Sequence, residues 1–481
     1  MNKPLRRAAI FCLALFGLLL INANYIQVVK ADEYRNKPGN QRLVLEEYSR
    51  ERGAILVGDK AIASSKLTDD RLKYLRTYSD GKMYAPATGY YSLIYGSAGI
   101  ERAENDFLAG TDDRLFVRRV VDMLTGKESK GGSVQLTLNP RAQQAAFKGL
   151  KGKKGAVAAI EPSTGRILAL ATSPSYDPSP LSSHDAAQIR AAWKENINDR
   201  DRPMEDRAIS KLYPPGSTFK IVTAAAALSN GYTKDTRVEG PASIRLPKST
   251  VSLPNENGRP CDDGNPTLTR ALELSCNTVF AKVGMDVGQD ALRDQAEKFG
   301  FNSTFKVPLS VSKSAFPSDL DQAQTALSSI GQYSVTATPL QDAMIAAAVA
   351  NGGKLMKPYL IEEVRSQDLS ILDKTRPEKL RDAVSSRVAG ELTDMMVSVV
   401  ENGTGKNARI DGVRVAGKTG TAQHGKGTKP HAWFTSFAPA DDAKVAVAVV
   451  IEDGAENSNE ISGGRLAAPI AKSVMEAVLN R

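Results

Sequence analysis

Residues Ile221 to Leu228 read Ile-Val-Thr-Ala-Ala-Ala-Ala-Leu, without a single charge, and the run closes at Asn230-Gly231. A helix that is apolar on every side has no face to offer water, so it must lie inside a layered domain. Alanine favours the helix and the glycine stops it. The residues before the run give it a chemical meaning. Tyr213-Pro214-Pro215-Gly216 forces a turn, and proline is tolerated just before or at the start of a helix. Ser217-Thr218-Phe219-Lys220 follows, which places Ser217 at a helix N-terminus, among free backbone N–H groups and the positive end of the dipole. A serine and a lysine three residues apart share one helix face. An amine within reach of a hydroxyl is the minimum arrangement for a lysine-activated serine nucleophile, and the N–H groups suit a developing oxyanion.

The tetrapeptide alone decides nothing. It recurs at Ser303–Lys306, and Ser310–Lys313 is a third Ser-x-x-Lys. Ser303 follows Gly300-Phe301-Asn302, and Pro308 comes two residues after Lys306, which discourages a helix across the motif. Ser303 and Ser310 are therefore expected in surface loops. Two other short motifs occur once each: Ser275-Cys276-Asn277, after the helical run Leu272-Glu273-Leu274, and Lys418-Thr419-Gly420-Thr421, on a strand expected to begin at Val413. Each is weak alone, since Ser-x-Asn also caps helices and Lys-Thr-Gly is an ordinary strand-to-turn sequence. Their order and flanks together with Ser217-x-x-Lys220 make the signal specific.

Of 481 residues, 41% are hydrophobic and 24% charged, an ordinary globular balance with room for two or three domains. A net charge of +9 raises nucleic acid, a membrane surface or an anionic polymer as targets. No finger, RNA-binding signature or basic-aromatic stripe backs nucleic acid. Three histidines and three cysteines leave little for a conventional zinc site, and neither metal nor cofactor is expected. Lys3, Arg6 and Arg7 precede an apolar run from Ala8 to Ile21 that extends, through Asn22-Ala23-Asn24, to Val29. That is long enough to span a bilayer, and Asn22-Ala23-Asn24 is a poor cleavage site. An uncleaved anchor with its N-terminus inside is expected, leaving the bulk of the chain outside. Cys261 and Cys276 then lie where disulfides form, 15 residues apart; an even pair favours a bond over two buried thiols.

Residues 31 to about 135 are charged and tyrosine-rich, with short strands expected at Val44–Tyr48 and Ala54–Val57 and a helix at Asp113–Leu124. Further on, strands are expected at Ser133–Leu138, Ala156–Ile160 and Arg166–Thr172, and late in the chain at Val413–Thr419, Ala432–Ala438 and Val445–Ile451. Helices are expected at Pro140–Leu150, Thr267–Leu274, Asn277–Val283, Ser386–Val400 and Leu466–Leu479, with Gln322–Gly353 helix-rich and interrupted at Thr338-Pro339. Strands at both ends of a domain around a helical middle imply one antiparallel sheet with helices packed on its faces.

With these motifs the chain resembles the class B penicillin-binding proteins, which are peptidoglycan D,D-transpeptidases sharing the three motifs with serine β-lactamases. Ile330-Gly331-Gln332, Thr338-Pro339-Leu340-Gln341, Asn351-Gly352-Gly353 and His431-Ala432-Trp433-Phe434 add to the likeness, and the short juxtamembrane part is most like the PbpA type of actinobacteria. The resemblance implies an α+β fold: a five-stranded antiparallel sheet with helices on both faces, after a small N-terminal module and a single transmembrane anchor. It divides the chain into a cytoplasmic tail (1–7), anchor (8–29), module (30–145) and extracellular transpeptidase domain (146–481). It implies Ser217 as the acylated nucleophile, Lys220 as its general base and Ser275 as a proton relay, with base and relay left interchangeable. Asn277 would hold the substrate amide and orient Lys220. Lys418, Thr419, Gly420 and Thr421 would bind the terminal carboxylate of a D-Ala-D-Ala stem, with the backbone N–H groups of Ser217 and Thr421 as oxyanion hole. Burial and the nearby Lys418 would both disfavour a charged Lys220. The implied partners are peptidoglycan stem peptides, β-lactams and a SEDS-type glycan polymerase in the membrane. A D,D-carboxypeptidase, a β-lactamase or a β-lactam sensor of the same fold is the alternative.

Overall fold

A computed structural model describes residues 3–30, 45, 47–126, 130–425, 427–454 and 463–480. Its centre is a five-stranded antiparallel sheet in the order Ala416–Ala422, His431–Ala438, Val445–Ile451, Gly155–Ile160, Ile167–Ser173. Nearly every strand residue is buried, so both faces are covered. Alternation divides them. Ala156, Ala158, Ala446, Ala448 and Val450 face one core, shared with the helices Lys220–Ser229, Pro339–Ala350 and Ser386–Glu401. Val157, Ala159, Val445, Val447 and Val449 face the other, shared with Pro140–Gly149 and Ala468–Leu479. The first face is alanine-rich, and so is Pro339–Ala350 above it; small side chains let helix and sheet approach closely. Asn139 and Thr338 cap their helices through side-chain oxygens, each with proline at the first helical position.

Several boundaries differ from the sequence reading. The Lys418 strand begins at Ala416, because Val413 instead closes a bridge to Ile410. The helix at Asn277 runs on to Lys298, broken only where Gly288 adopts a left-handed φ of 81°. The strand expected at Val44–Tyr48 is not one: Leu45, Glu47 and Tyr48 are helical, with Ser49 N–H bonded to Leu45 O and the Tyr48 ring stacked on Tyr91 at 4.9 Å. Val44 and Glu46 lie outside the described residues. A second sheet, in the order Ile371–Lys374, Ile361–Arg365, Ser133–Leu136, Ile55–Val57, Lys60–Leu67, Tyr74–Tyr78, draws two of its strands from beyond the helical middle. Behind it Glu101, fully buried, receives Arg52 Nε at 2.7 Å and Arg76 Nε at 2.6 Å. The helix Lys3–Asn24, continued by a π turn to Val29, is long and apolar enough to cross a membrane and buries nothing.

The segment leading to Ser217 is pinned to the sheet by one carboxylate. Glu452, just after Val445–Ile451, receives Arg207 Nε at 2.9 Å, Tyr213 Oη at 2.7 Å and Lys211 Nζ at 2.8 Å. Burial raises the Glu452 pKa, but the hydrogen bonds of Lys211 and Tyr213 and the charges of Lys211 and Arg207 outweigh it and hold the group below its ordinary 4.5. A depressed carboxylate stabilises the fold above its unfolded pKa, and that stability goes as pH falls through the folded value. Glu452→Ala strands the fully buried Arg207 guanidinium and is expected to cost about 3–5 kcal/mol at pH 7. Urea unfolding measures this, and the cost should shrink on acidification below pH 4.5.

Candidate active site

One edge of the five-stranded sheet is Ala416–Ala422, and the turn that carries Ser217 lies against it. Gly216–Phe219 form a 3-10 turn that runs directly into the helix Lys220–Ser229, so Ser217 and Lys220 stand one turn apart. Gly216 has a left-handed φ of 57°, and a β-carbon there would sit 2.6 Å from Thr421 O. Its N–H donates to Gly331 O at 2.9 Å, and a β-carbon on Gly331, itself at φ 71°, would fall 2.2 Å from Gly216 O. The turn is thus clamped between Gly331 and the strand that carries Thr421.

Side chains from all three motifs, Lys220, Ser275 and Lys418, meet at one oxygen, Ser275 Oγ. Lys220 Nζ lies 3.2 Å from Ser275 Oγ, 2.6 Å from Ser275 O and 2.7 Å from Asn277 Oδ1. Lys418 Nζ donates to the same Ser275 Oγ at 2.7 Å and to Thr419 O at 2.9 Å. Both lysines are fully buried. Ser275 reaches this point because Leu268–Leu274 ends there with Ser275 in the left-handed region, φ 61°, and the next helix starts at Asn277. The intervening Cys276 turns away and is bonded to Cys261. That ties the motif to the loop 255–266, whose Asn255 Oδ1 accepts the Thr278 N–H at 3.0 Å. A recess of about 290 Å³ opens here, lined by Asn255, Glu256, Cys261, Ser275, Cys276 and Thr404 among others.

Along Lys418–Thr421 the two threonines differ. Thr419 is buried with its hydroxyl bonded to Thr404 at 2.6 Å, whereas Thr421 Oγ1 has no hydrogen-bond partner among the described residues. Gly420 is tightly enclosed: a β-carbon would press within 3.1 Å of Thr218, Trp433 and Pro215, so its neighbours would have to give way. The other copy of the tetrapeptide is elsewhere, with Ser303 Oγ on Phe301 O and Lys306 exposed. Sequence reasoning missed Thr404, Gly331 as a clamp, and Asp342. Asp342 is fully buried in the first turn of Pro339–Ala350, and burial pushes its carboxyl up to about 7. It also missed the stack of His424 on His431 at 3.8 Å, beside Asp453 and just past Ala422. Burial and then His424 hold His431 down at about 4.

The family model described as penicillin binding protein transpeptidase domain matches residues 155–476. The chain belongs to the penicillin-binding protein transpeptidase family. A second model, penicillin binding protein A dimerisation domain, matches residues 52–134. The chain is 46% identical to the Peptidoglycan D,D-transpeptidase PbpA of Mycolicibacterium smegmatis over 100% of this chain and 99% of that one. It is 47% identical to that of Mycobacterium tuberculosis over the same shares. Among solved structures, penicillin-binding protein A from M. tuberculosis in a ceftriaxone acyl-enzyme complex aligns with a TM-score of 0.88 at 46% identity, covering 90% of this chain and 100% of that one.

The glycine clamp gives a direct test. Gly331→Ala forces its neighbours apart where the turn must touch Thr421. Strain of about 1–3 kcal/mol there is expected to slow acylation by penicillin roughly 5- to 150-fold while the chain still folds. Stopped-flow acylation set against a thermal melt separates the two effects.

Proposed function

We infer that this chain is a peptidoglycan D,D-transpeptidase that cross-links stem peptides through a serine acyl-enzyme and is acylated and inhibited by β-lactams. Ser217 Oγ attacks the carbonyl of the terminal D-Ala-D-Ala bond, D-alanine leaves with a proton, and the amine of a second stem displaces the serine. The observation that carries this reading is the meeting of Lys220 and Lys418 on Ser275 Oγ, beside the turn that holds Ser217. Two buried ammonium groups sharing one hydroxyl repel each other, so one of them gives up its proton readily. Lys220, one turn from Ser217, takes the serine proton, and Ser275 passes it to the leaving amine. Asn277 orients Lys220 and faces the substrate amide. Lys418 and the free hydroxyl of Thr421 receive the terminal carboxylate, while Thr419, bonded to Thr404, sets the height of the strand. The N–H groups of Ser217 and Thr421 form the oxyanion hole. No cofactor is required. The relatives named as D,D-transpeptidases and the β-lactam acyl-enzyme of a structural relative support the reading.

The same reading places the tail 1–7 in the cytoplasm, the anchor at 8–29, the module at 30–145 and the catalytic domain, 146–481, outside the cell. Lys3, Arg6 and Arg7 ahead of the apolar helix support that orientation. A glycan polymerase of the SEDS type is the membrane partner the family resemblance favours.

Mass spectrometry after penicillin tests the centre of the proposal. One long-lived adduct is expected on Ser217, none in Ser217→Ala, and an unchanged adduct in Ser303→Ala. Rapid turnover of penicillin would instead mark a β-lactamase. Lys220→Ala is expected to slow acylation about 10²- to 10⁴-fold, the usual worth of a positioned base.

A further inference from the structure

The helix Phe116–Thr125 is mounted inside out. Its sequence, Phe-Val-Arg-Arg-Val-Val-Asp-Met-Leu-Thr, places six apolar residues on an arc of roughly 160° at 100° per residue. An amphipathic helix on a soluble domain buries that arc. Here Asp122 is the side that is buried, at 1% exposure, and Arg119 donates to Gly110 O at 3.2 Å. The apolar arc faces out: Phe116 is 58% exposed, Val117 75%, Met123 79% and Leu124 81%, with Val120 and Val121 beside them. Single exposed apolar residues are ordinary, but a contiguous face of six marks a contact surface.

We propose that this helix lies in the headgroup–acyl boundary of the bilayer that the N-terminal helix crosses, as a second and shallower membrane contact of the module. The proposal rests on reading Lys3–Val29 as an anchor. Fifteen residues, 30–44, separate that helix from Leu45, and fully extended they reach at most roughly 55 Å. The module is therefore leashed to a lipid surface. A second copy of the chain is the weaker occupant, although the module matches a family model named for dimerisation. Ten helical residues are about 15 Å long. Two such faces packed together enclose far less than the roughly 1,200 Å² of a stable interface. A bilayer needs no such area, because an apolar arc of this width inserts by itself. Two membrane contacts, one spanning and one lying flat, would fix the tilt of the module and so the height of the Ser217 cleft above the membrane.

The test uses the full chain, reconstituted in phosphatidylcholine vesicles containing no other protein, with and without bromine on the acyl chains. Flotation with the vesicles reports the anchor. Phe116→Trp and Leu124→Trp report the helix, after subtraction of the native Trp193 and Trp433 emission. Roughly a twofold loss of the added emission in brominated vesicles is expected for shallow burial. The loss should vanish when Val117→Asp and Val121→Asp are added, with penicillin acylation unchanged as proof of folding. Flotation without quenching overturns the proposal and leaves the anchor standing. Failure to float overturns both. An interchain disulfide through Val120→Cys in a Cys12→Ser background, without quenching, assigns the face to a second copy and also overturns it.

Discussion

Everything at this site depends on a hydroxyl oxygen shared between two buried amines. Lys220 and Lys418 come from segments far apart in sequence, and each is wholly withdrawn from water. Burying one ammonium is costly; burying two within reach of the same atom is costlier still, unless other acceptors are supplied. They are supplied here by backbone and amide oxygens: Ser275 O and Asn277 Oδ1 for Lys220, Thr419 O for Lys418. These three oxygens are neutral, and they orient the amines without stabilising their charge as strongly as a carboxylate would.

That arrangement requires Ser275 to hold still, and the surrounding structure accounts for how it does. A non-glycine residue at φ 61° carries strain and persists only where its neighbours over-determine it. Here a helix ends before it and another begins two residues later. The disulfide at Cys276 and the Asn255 side chain on Thr278 fasten the junction from outside. On the other wall, Lys418 lies on a strand whose hydrogen bonds to His431–Ala438 fix its register residue by residue. Because this strand is a sheet edge, the opposite side of its backbone is left for the turn that carries Ser217 and, under the proposed function, for an extended substrate.

The parts legible in the sequence were those carried by local rules. Pro-Pro-Gly before Ser217, the apolar run after it, the strands at 156–172 and 432–451 and the capped helices each follow from spacing and turn chemistry. What stayed hidden came from long-range packing. Thr404 looks like a loop threonine until the fold brings it to Thr419, and Gly331 like a turn glycine until it is seen against Gly216. The strand Ile361–Arg365 could not be assigned to the second sheet, since its partner Ser133–Leu136 lies more than two hundred residues away, and Ile371–Lys374 joins that sheet only by pairing with it. In Leu45-Glu46-Glu47-Tyr48 the two apolar residues stand three apart, a helical spacing, and Tyr48 stacks on Tyr91 beside Arg52.

The repeated tetrapeptide shows how little a motif carries without its setting. The second copy follows Phe301, whose ring meets the edge of Phe219 at 5.5 Å, and Phe219 belongs to the first copy. Phe316 stacks on Phe219 from another side at 5.6 Å. The loop that contains Ser303 therefore serves the first copy: it supplies an aromatic wall behind the turn that carries Ser217. Phe219 is anchored between these rings, Gly216 between Gly331 and Thr421, and Thr218 by Pro215 O at 3.1 Å. With the residues on both sides of it held, the backbone of Ser217 is fixed at the start of its helix, which is the positioning that the proposed attack requires.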